Sequence, residues 1–190
     1  MNRVLKVGLM LCCWCLCMTL AQSVEAGPLG LKTVFKTEDP ADPAFTCAAD
    51  FDVKVCNVYV TFEGSDPFGG DNYLLSCGFS NISTDSPTGF FQVPAAMGGA
   101  STAPSDIFIG IFPELLCDSF VTINLKSVAI GAIDCTSLDP DFDLDLFNTG
   151  GGVAGGWFCN NPPAGQGQPN QATNQTLIAQ FTVPMGFTVS

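Results

Sequence analysis

Four aspartates stand at every second position near the middle of the chain: Asp139, Asp141, Asp143 and Asp145, in the run DPDFDLDLF. Side chains alternate between faces on an extended strand. The spacing therefore predicts four carboxylates on one side, with Phe142, Leu144 and Leu146 on the other. Aligned like charges repel one another, and a hard cation such as Ca²⁺, which takes oxygen ligands, would relieve them. Carboxylates two residues apart on a straight strand are about 7 Å apart, so one ion would also need a turn or a second segment. The run lacks the glycine and closing glutamate of an EF-hand loop. A solvated acidic strand face is the alternative expectation for the same residues. Asp66, Asp71 and Asn72, around Gly69 and Gly70, form a second candidate cation loop, which turn chemistry explains without a metal.

The chain contains no histidine, which excludes Ser-His-Asp and Cys-His mechanisms. It has no G-x-S-x-G, P-loop or dinucleotide fingerprint. A carboxylate pair of the glycosidase kind needs only Asp or Glu, so a carboxylate-based hydrolase is the one enzymatic alternative to a non-catalytic protein. Tyr73, Phe90 and Trp157 are candidates for stacking on sugar rings, as in a carbohydrate-binding module. Core packing accounts for them equally well, and adjacent aromatics such as Phe90-Phe91 and Trp157-Phe158 face opposite ways on a strand. Asn81 and Asn174 begin Asn-Ile-Ser and Asn-Gln-Thr, glycosylation sequons in a host that uses them.

The elements that must position these residues read as short strands. Leu31–Phe35 is one candidate. From Val53 the pattern has period two, with Val58, Val60 and Phe62 alternating with Asn57, Tyr59 and Thr61. Tyr73–Phe79 is another apolar run, and the turn formers EGSDPFGGD between them predict an antiparallel hairpin. Further candidates are Thr88–Val93, a buried run at Asp106–Phe112, a hairpin of Phe120–Leu125 with Val128–Ile133 about Lys126-Ser127, and a strand at Phe142–Leu146. At the end, Leu177, Ala179, Phe181 and Val183 form one face, with Gln180 and Thr182 opposite. A short helix is expected near Pro113–Leu116. The polar segment 160–174 reads as a surface loop. Twenty glycines, thirteen prolines and no amphipathic helix predict an all-β fold, an antiparallel sandwich or jelly-roll-like arrangement.

Residues 1–26 have the form of a secretory signal. Arg3 and Lys6 precede an apolar stretch from Val7 to Leu20, and Val24 and Ala26 are small residues placed for cleavage before Gly27. The apolar stretch is shorter than the roughly 18–20 residues that span a bilayer, and no later segment is long and apolar enough to do so. Removal of this leader leaves 164 residues, read as one domain with a lead-in at 27–50. The whole chain has formal net charge −12. After cleavage four lysines face 17 acids, a net −13. Such a surface repels phosphate backbones, which excludes nucleic acid as a partner and leaves an extracellular protein or glycan.

Of ten cysteines, four lie in the leader, and Cys47, Cys56, Cys77, Cys117, Cys135 and Cys159 remain. An even number in an oxidising compartment reads as disulfides. Zinc is disfavoured, because no short C-x-C spacing and no histidine accompany them. The two expected hairpins would bring Cys117 nearly opposite Cys135, and Cys56 nearly opposite Cys77. Cys47 and Cys159 would then be left for each other, one of 15 connectivities.

The stretches NVYVTF, TGFFQVPAAMGG, FPELLCDSFVTINL, GGWFCNNPPAGQG and LIAQFTVPMG resemble exported β-rich proteins found mainly in planctomycetes and related marine bacteria, which often carry a dockerin or PEP-CTERM sorting tail. The resemblance covers roughly two-thirds of the chain. It implies export and a β fold, and it supplies no catalytic residues. The chain departs from that group in its six later cysteines. It also stops at Ser190, where similar chains continue with one more strand. Taken together, the sequence leads to an exported, non-enzymatic structural or recognition module. A carbohydrate-binding module, a Ca²⁺-dependent adhesive domain and a carboxylate-based hydrolase are the alternatives.

Overall fold

A computed structural model describes residues 30–38, 53–63, 74–160 and 165–190. The expected leader, the lead-in around Cys47, and the group Asp66, Asp71, Asn72 and Tyr73 lie outside the described residues. The fold is all-β, built from two antiparallel sheets. Strands β1 (Gly30–Glu38), β2 (Val53–Glu63), β7 (Gln175–Pro184) and β4 (Phe120–Val121) form one sheet in the order β1-β2-β7-β4. Strands β3 (Ser76–Ile82), β6 (Val153–Phe158) and β5 (Ser137–Leu138) form the other, in the order β3-β6-β5. The helical pieces are short: helices Asp106–Ile109 and Leu144–Asn148, and 3₁₀ turns Ala95–Met97 and Pro113–Cys117.

Period-two alternation sets the core face of the larger sheet. Val58, Val60 and Phe62 of β2 pack with Ala179, Phe181 and Val183 of β7, as expected for a strand buried on one side. Ile82, Val153 and Trp157 of the smaller sheet join the same cluster, so the two sheets share one core. Phe90 stacks on Phe181 with ring centroids 4.8 Å apart, and Phe142 meets Trp157 edge-on at 6.4 Å. The Trp157 indole N–H is buried but satisfied, donating to Thr122 O at 2.9 Å. That bond ties the smaller sheet to the chain running along the edge of β7.

Strand β7 departs from simple alternation. Val58 pairs with Ala179 but Tyr59 pairs with Leu177, so β7 carries an extra residue at this point. The bulge places Ile178 in the core cluster and leaves Leu177 buried outside it. The polar face is also covered, since Thr176, Gln180 and Thr182 are all buried. The cover is the segment between β3 and β4. Gln180 Nε2 donates to both Leu116 O and Asp118 O at 2.9 Å. In the plane of the sheet, Thr182 N donates to Ser119 Oγ at 3.0 Å and Phe91 N donates to Thr182 O at 2.8 Å.

Four expected elements are corrected here. Thr88–Val93 is turn and bend and not a strand. β2 and β3 lie in different sheets, so they make no hairpin. Phe120–Leu125 follows β7 instead of pairing with Val128–Ile133: Thr122 N donates to Ile178 O and Asn124 N to Leu177 O. Asp106–Phe112 is no buried strand; it opens with a helical turn capped by Ser105 Oγ, which accepts from Ile107 N, and Ile107, Phe108 and Ile111 are exposed.

Close approach of the backbone explains one glycine pair. Gly150, at φ 73°, receives a hydrogen bond from Phe90 N, and a Cβ there would lie 2.6 Å from Phe90 O. Only glycine tolerates both that dihedral and that contact.

The shared core makes a graded prediction. Phe181→Ala should cost about 3–5 kcal/mol through lost burial and a residual cavity. Phe35→Ala, on a side chain 45% exposed at the sheet edge, should cost under about 1 kcal/mol. Urea unfolding of the two variants beside the parent chain measures both.

Candidate functional site

The aspartate run does not form the expected strand. Extended structure stops at Leu138, and Asp139 N donates to Gly156 O at 2.9 Å. Pro140 and Asp141 then turn, closed by Phe142 N on Asp139 O at 3.0 Å. Asp143 caps the helix Leu144–Asn148, its Oδ1 accepting from Leu146 N at 2.8 Å, and Asp145 lies in the first helical turn. The cause is local: an aspartate before Leu-Asp-Leu-Phe satisfies amides that a new helix leaves open. Negative charge is favourable at that end. The single face of four carboxylates is thereby replaced by two groups with different roles.

Asp139 and Asp141 line a groove of about 540 Å³ on the smaller sheet, together with Ser76, Cys77, Gly78, Gly155 and Gly156. Gly78 of β3 pairs with Gly156 of β6, so the floor is bare backbone. The glycine at 156 makes room for a carboxylate, since a Cβ there would lie 2.3 Å from Asp139 Oδ2. Gly155 serves the turn above it, since a Cβ there would lie 2.5 Å from Phe142 Cα. Cys77 carries an unbonded thiol, and burial pushes its pKa up to about 12. At physiological pH that thiol stays protonated, so it serves neither as nucleophile nor as thiolate ligand. The groove can accept hydrogen bonds and attract positive charge. For Ca²⁺ it offers two carboxylates of the four expected, and the described residues hold no group of three or more His, Cys, Asp or Glu side chains placed for a metal.

Two of the three aromatic candidates, Phe90 and Trp157, are core residues. Trp157 is 0% and Phe90 3% exposed, so neither presents a face to a sugar. Asn174 lies at φ 55°, and its Nδ2, the atom that a glycan would use, donates to Phe62 O at the end of β2. Asn81 lies on β3.

Cysteine pairing is corrected as well. Cys135 bonds to Cys159, with Cα atoms 5.0 Å apart, in place of Cys117 and Cys47 respectively. Cys117 is buried and disulfide-bonded to a partner outside the described residues. Cys56 and Cys77 are unbonded, where the expected hairpin would have joined them. All three expected pairs rested on the two hairpins that the topology does not contain.

Two features escaped the sequence reading. One is Asp118, a fully buried carboxylate whose Oδ1 accepts from Val93 N at 2.8 Å and Ser119 N at 3.1 Å. Burial outweighs these amides and a further backbone bond from Ala100, and pushes its pKa up to about 7, while Oδ2 has no hydrogen-bond partner. An aspartate beside a cysteine and before Ser-Phe-Val carries no pattern that marks it as buried. The other is an apolar apron. Asp106 N donates to Val128 O at 2.9 Å and Val128 N to Pro104 O at 2.8 Å, which sets the Asp106–Ile109 helix beside the loop 128–133. Ile130 and Ile133, 75% and 73% exposed, stand on that loop, and Ile107, Phe108 and Ile111 stand on and just after the helix. The expected strands at both places concealed it.

Asp118 sets a pH dependence. Its folded pKa lies above the value of 3.8 for an unperturbed carboxyl, so the folded chain holds this proton more tightly than the unfolded one. Its contribution therefore favours folding at low pH and declines as pH rises to about 7. Stability should fall by about 2–3 kcal/mol from pH 5 to pH 8, and Asp118→Asn should flatten that slope, as read from Tm across the range. Asp85, whose pKa is lowered chiefly by the Thr188 amide, acts below this window, and the raised thiols of Cys56 and Cys77 act above it. The cysteines make a second prediction. With four of the six later cysteines accounted for, peptide mapping of the unreduced chain should join Cys117 to Cys47 and leave two alkylatable thiols, at Cys56 and Cys77. No family model, curated protein or solved structure matches the chain.

Proposed function

We propose that the chain is an exported structural or recognition module without catalytic activity, which docks on a protein partner through the apolar apron. The apron is the observation that carries this reading. Large side chains gathered on two adjoining surface segments are costly to leave in water and are characteristic of contact sites. The partner's chemistry follows from the border. Asp106 is exposed beside Ile107, and Asp134 follows Ile133, on a chain of net charge −12. A complementary surface is apolar at its centre and basic at its rim, and an anionic bilayer is repelled. Export is supported by the leader pattern of residues 1–26 and by the Cys135–Cys159 disulfide, a bond that persists in oxidising compartments.

The other readings have less support. Sugar stacking loses Trp157 and Phe90 to the core. A Ca²⁺-dependent adhesive domain keeps Asp139 and Asp141 in one groove but not Asp143, which caps a helix. A carboxylate-based hydrolase has the same two acids, beside a protonated thiol and a glycine floor that supplies no further side chain.

The double variant Ile130→Asp/Ile133→Asp tests the proposal. Both positions are exposed, so Tm should change by no more than about 2 °C. Labelled parent protein should bind surface material of the cells that secrete it, and the variant should bind at least tenfold more weakly. Equal binding by the variant, or no binding by the parent, overturns the docking surface.

A further inference from the structure

Strand β1 forms a long edge of the larger sheet. It runs nine residues, Gly30–Glu38, and pairs in unbroken antiparallel register with β2. Among the described residues it has no strand on its other side. It contains no proline and its register carries no bulge, two devices that commonly blunt such an edge. Its side chains are open to solvent as well. Lys32, Thr33, Lys36 and Thr37 are exposed, and Phe35 is 45% exposed. We infer that this edge is a homodimer interface, in which β1 of a second copy pairs antiparallel with it about a twofold axis at Phe35 and joins the two larger sheets into one.

The residues of the strand select the register. Directly opposed residues of an antiparallel pair share a face of the sheet. A pairing that keeps both faces therefore sets odd positions against odd and even against even. Centred on Phe35, it sets Lys32 against Glu38 of the second copy, Thr33 against Thr37, Val34 against Lys36 and Phe35 against its own counterpart. Twofold symmetry makes each unlike pair occur twice. Centring on Val34 instead sets Lys32 against Lys36 twice, and like charges directly opposed are destabilising. Centring on Lys36 sets that lysine against itself. Centring on Thr33 sets Lys32 against Val34 and Lys36 against Gly30, with no charge pair. Phe35 lies opposite Val58 of β2, on the face that holds the core. The two Phe35 rings would meet there and cover each other, a favourable cross-strand aromatic pair.

Lysines on an edge ordinarily keep other strands away, but Lys36 is drawn inward. Its Nζ donates to Gln175 Oε1 on β7 and lies 5.0 Å from the Tyr59 ring centroid on β2. Lys32 is the charge for which the Phe35-centred register supplies a counter-charge. Each copy carries net charge −12, which opposes self-association. Lys32 and Lys36 are two of the six basic residues, so the repulsion is lessened along this strand. Pairing also satisfies the outward main-chain groups of both strands and closes at two copies, leaving neither β1 edge open to a third.

Sedimentation equilibrium of the full secreted chain over a concentration series tests the dimer. A reversible monomer–dimer equilibrium is expected. Lys32→Glu and Phe35→Lys should each weaken association at least tenfold, with Tm in dilute solution unchanged. Lys32→Glu/Glu38→Lys rebuilds both charge pairs at the parent net charge and should regain association. One measurement needs no variant: amide protons along 32–38 that face away from β2 should exchange more slowly in concentrated than in dilute parent protein. A chain that stays monomeric throughout overturns the proposal, as does a dimer insensitive to Lys32→Glu and Phe35→Lys, or exchange in β1 that is independent of concentration. Failure of the charge-swapped variant to regain association overturns the register. Ile130→Asp/Ile133→Asp leaves β1 untouched and should dimerise as the parent does; loss of its dimer would place the contact on the apron and overturn the edge. Docking through the apron requires no dimer, so the two proposals fail independently.

Discussion

Gln180 sits in the middle of β7 with its side-chain amide out of water, and its two N–H bonds to Leu116 O and Asp118 O govern how the rest of the chain is arranged. A strand with a glutamine and threonines on one face ordinarily turns that face to solvent. Once covered, each polar group must find a partner or cost about 1–3 kcal/mol. The covering segment answers with main-chain oxygens that no ladder uses: Leu116 O at the end of the 3₁₀ turn and Asp118 O just after it. Asp118 is the reciprocal anchor. Its side chain collects amides from Val93, Ala100 and Ser119, so one residue gathers three passes of the same segment over the sheet.

This arrangement also explains where apolar side chains are exposed. Over the Gln180 face the segment between β3 and β4 meets the sheet through main-chain oxygens at Leu116 and Asp118, so its apolar side chains are not all needed beneath it. Leu115 and Cys117 turn inward and are buried, while Ile107, Phe108 and Ile111 turn outward. Phe108 leans on Gly98, where a Cβ would lie 2.8 Å from its ring, and that support holds the aromatic at the surface. The helix side of the apron is thus a consequence of covering a polar strand face with a loop, and the docking proposed above would use side chains that the core leaves outside.

The strongly alternating strands were legible in the residues: β2 and β7 fall where the period-two runs stand, β1 contains the strand candidate Leu31–Phe35, and the 3₁₀ turn at Pro113–Cys117 lies where a short helix was expected. What could not be read was partnership. Val58, Val60 and Phe62 declare a buried face, but nothing in them says whether the next strand pairs beside them or joins the other sheet. Short connections usually pair sequence neighbours, which is the ground for both expected hairpins, and here β2 takes β1 and β7 instead. Every disulfide expectation inherited that step. The aspartate run failed for another reason. Period two over DFDLDL fits a strand, yet Asp143 placed before Leu-Asp-Leu-Phe also fits a helix cap, and the Pro140 turn settles the competition in favour of the cap. Asp139 and Asp141 still meet in one groove, though through a turn and not a strand face.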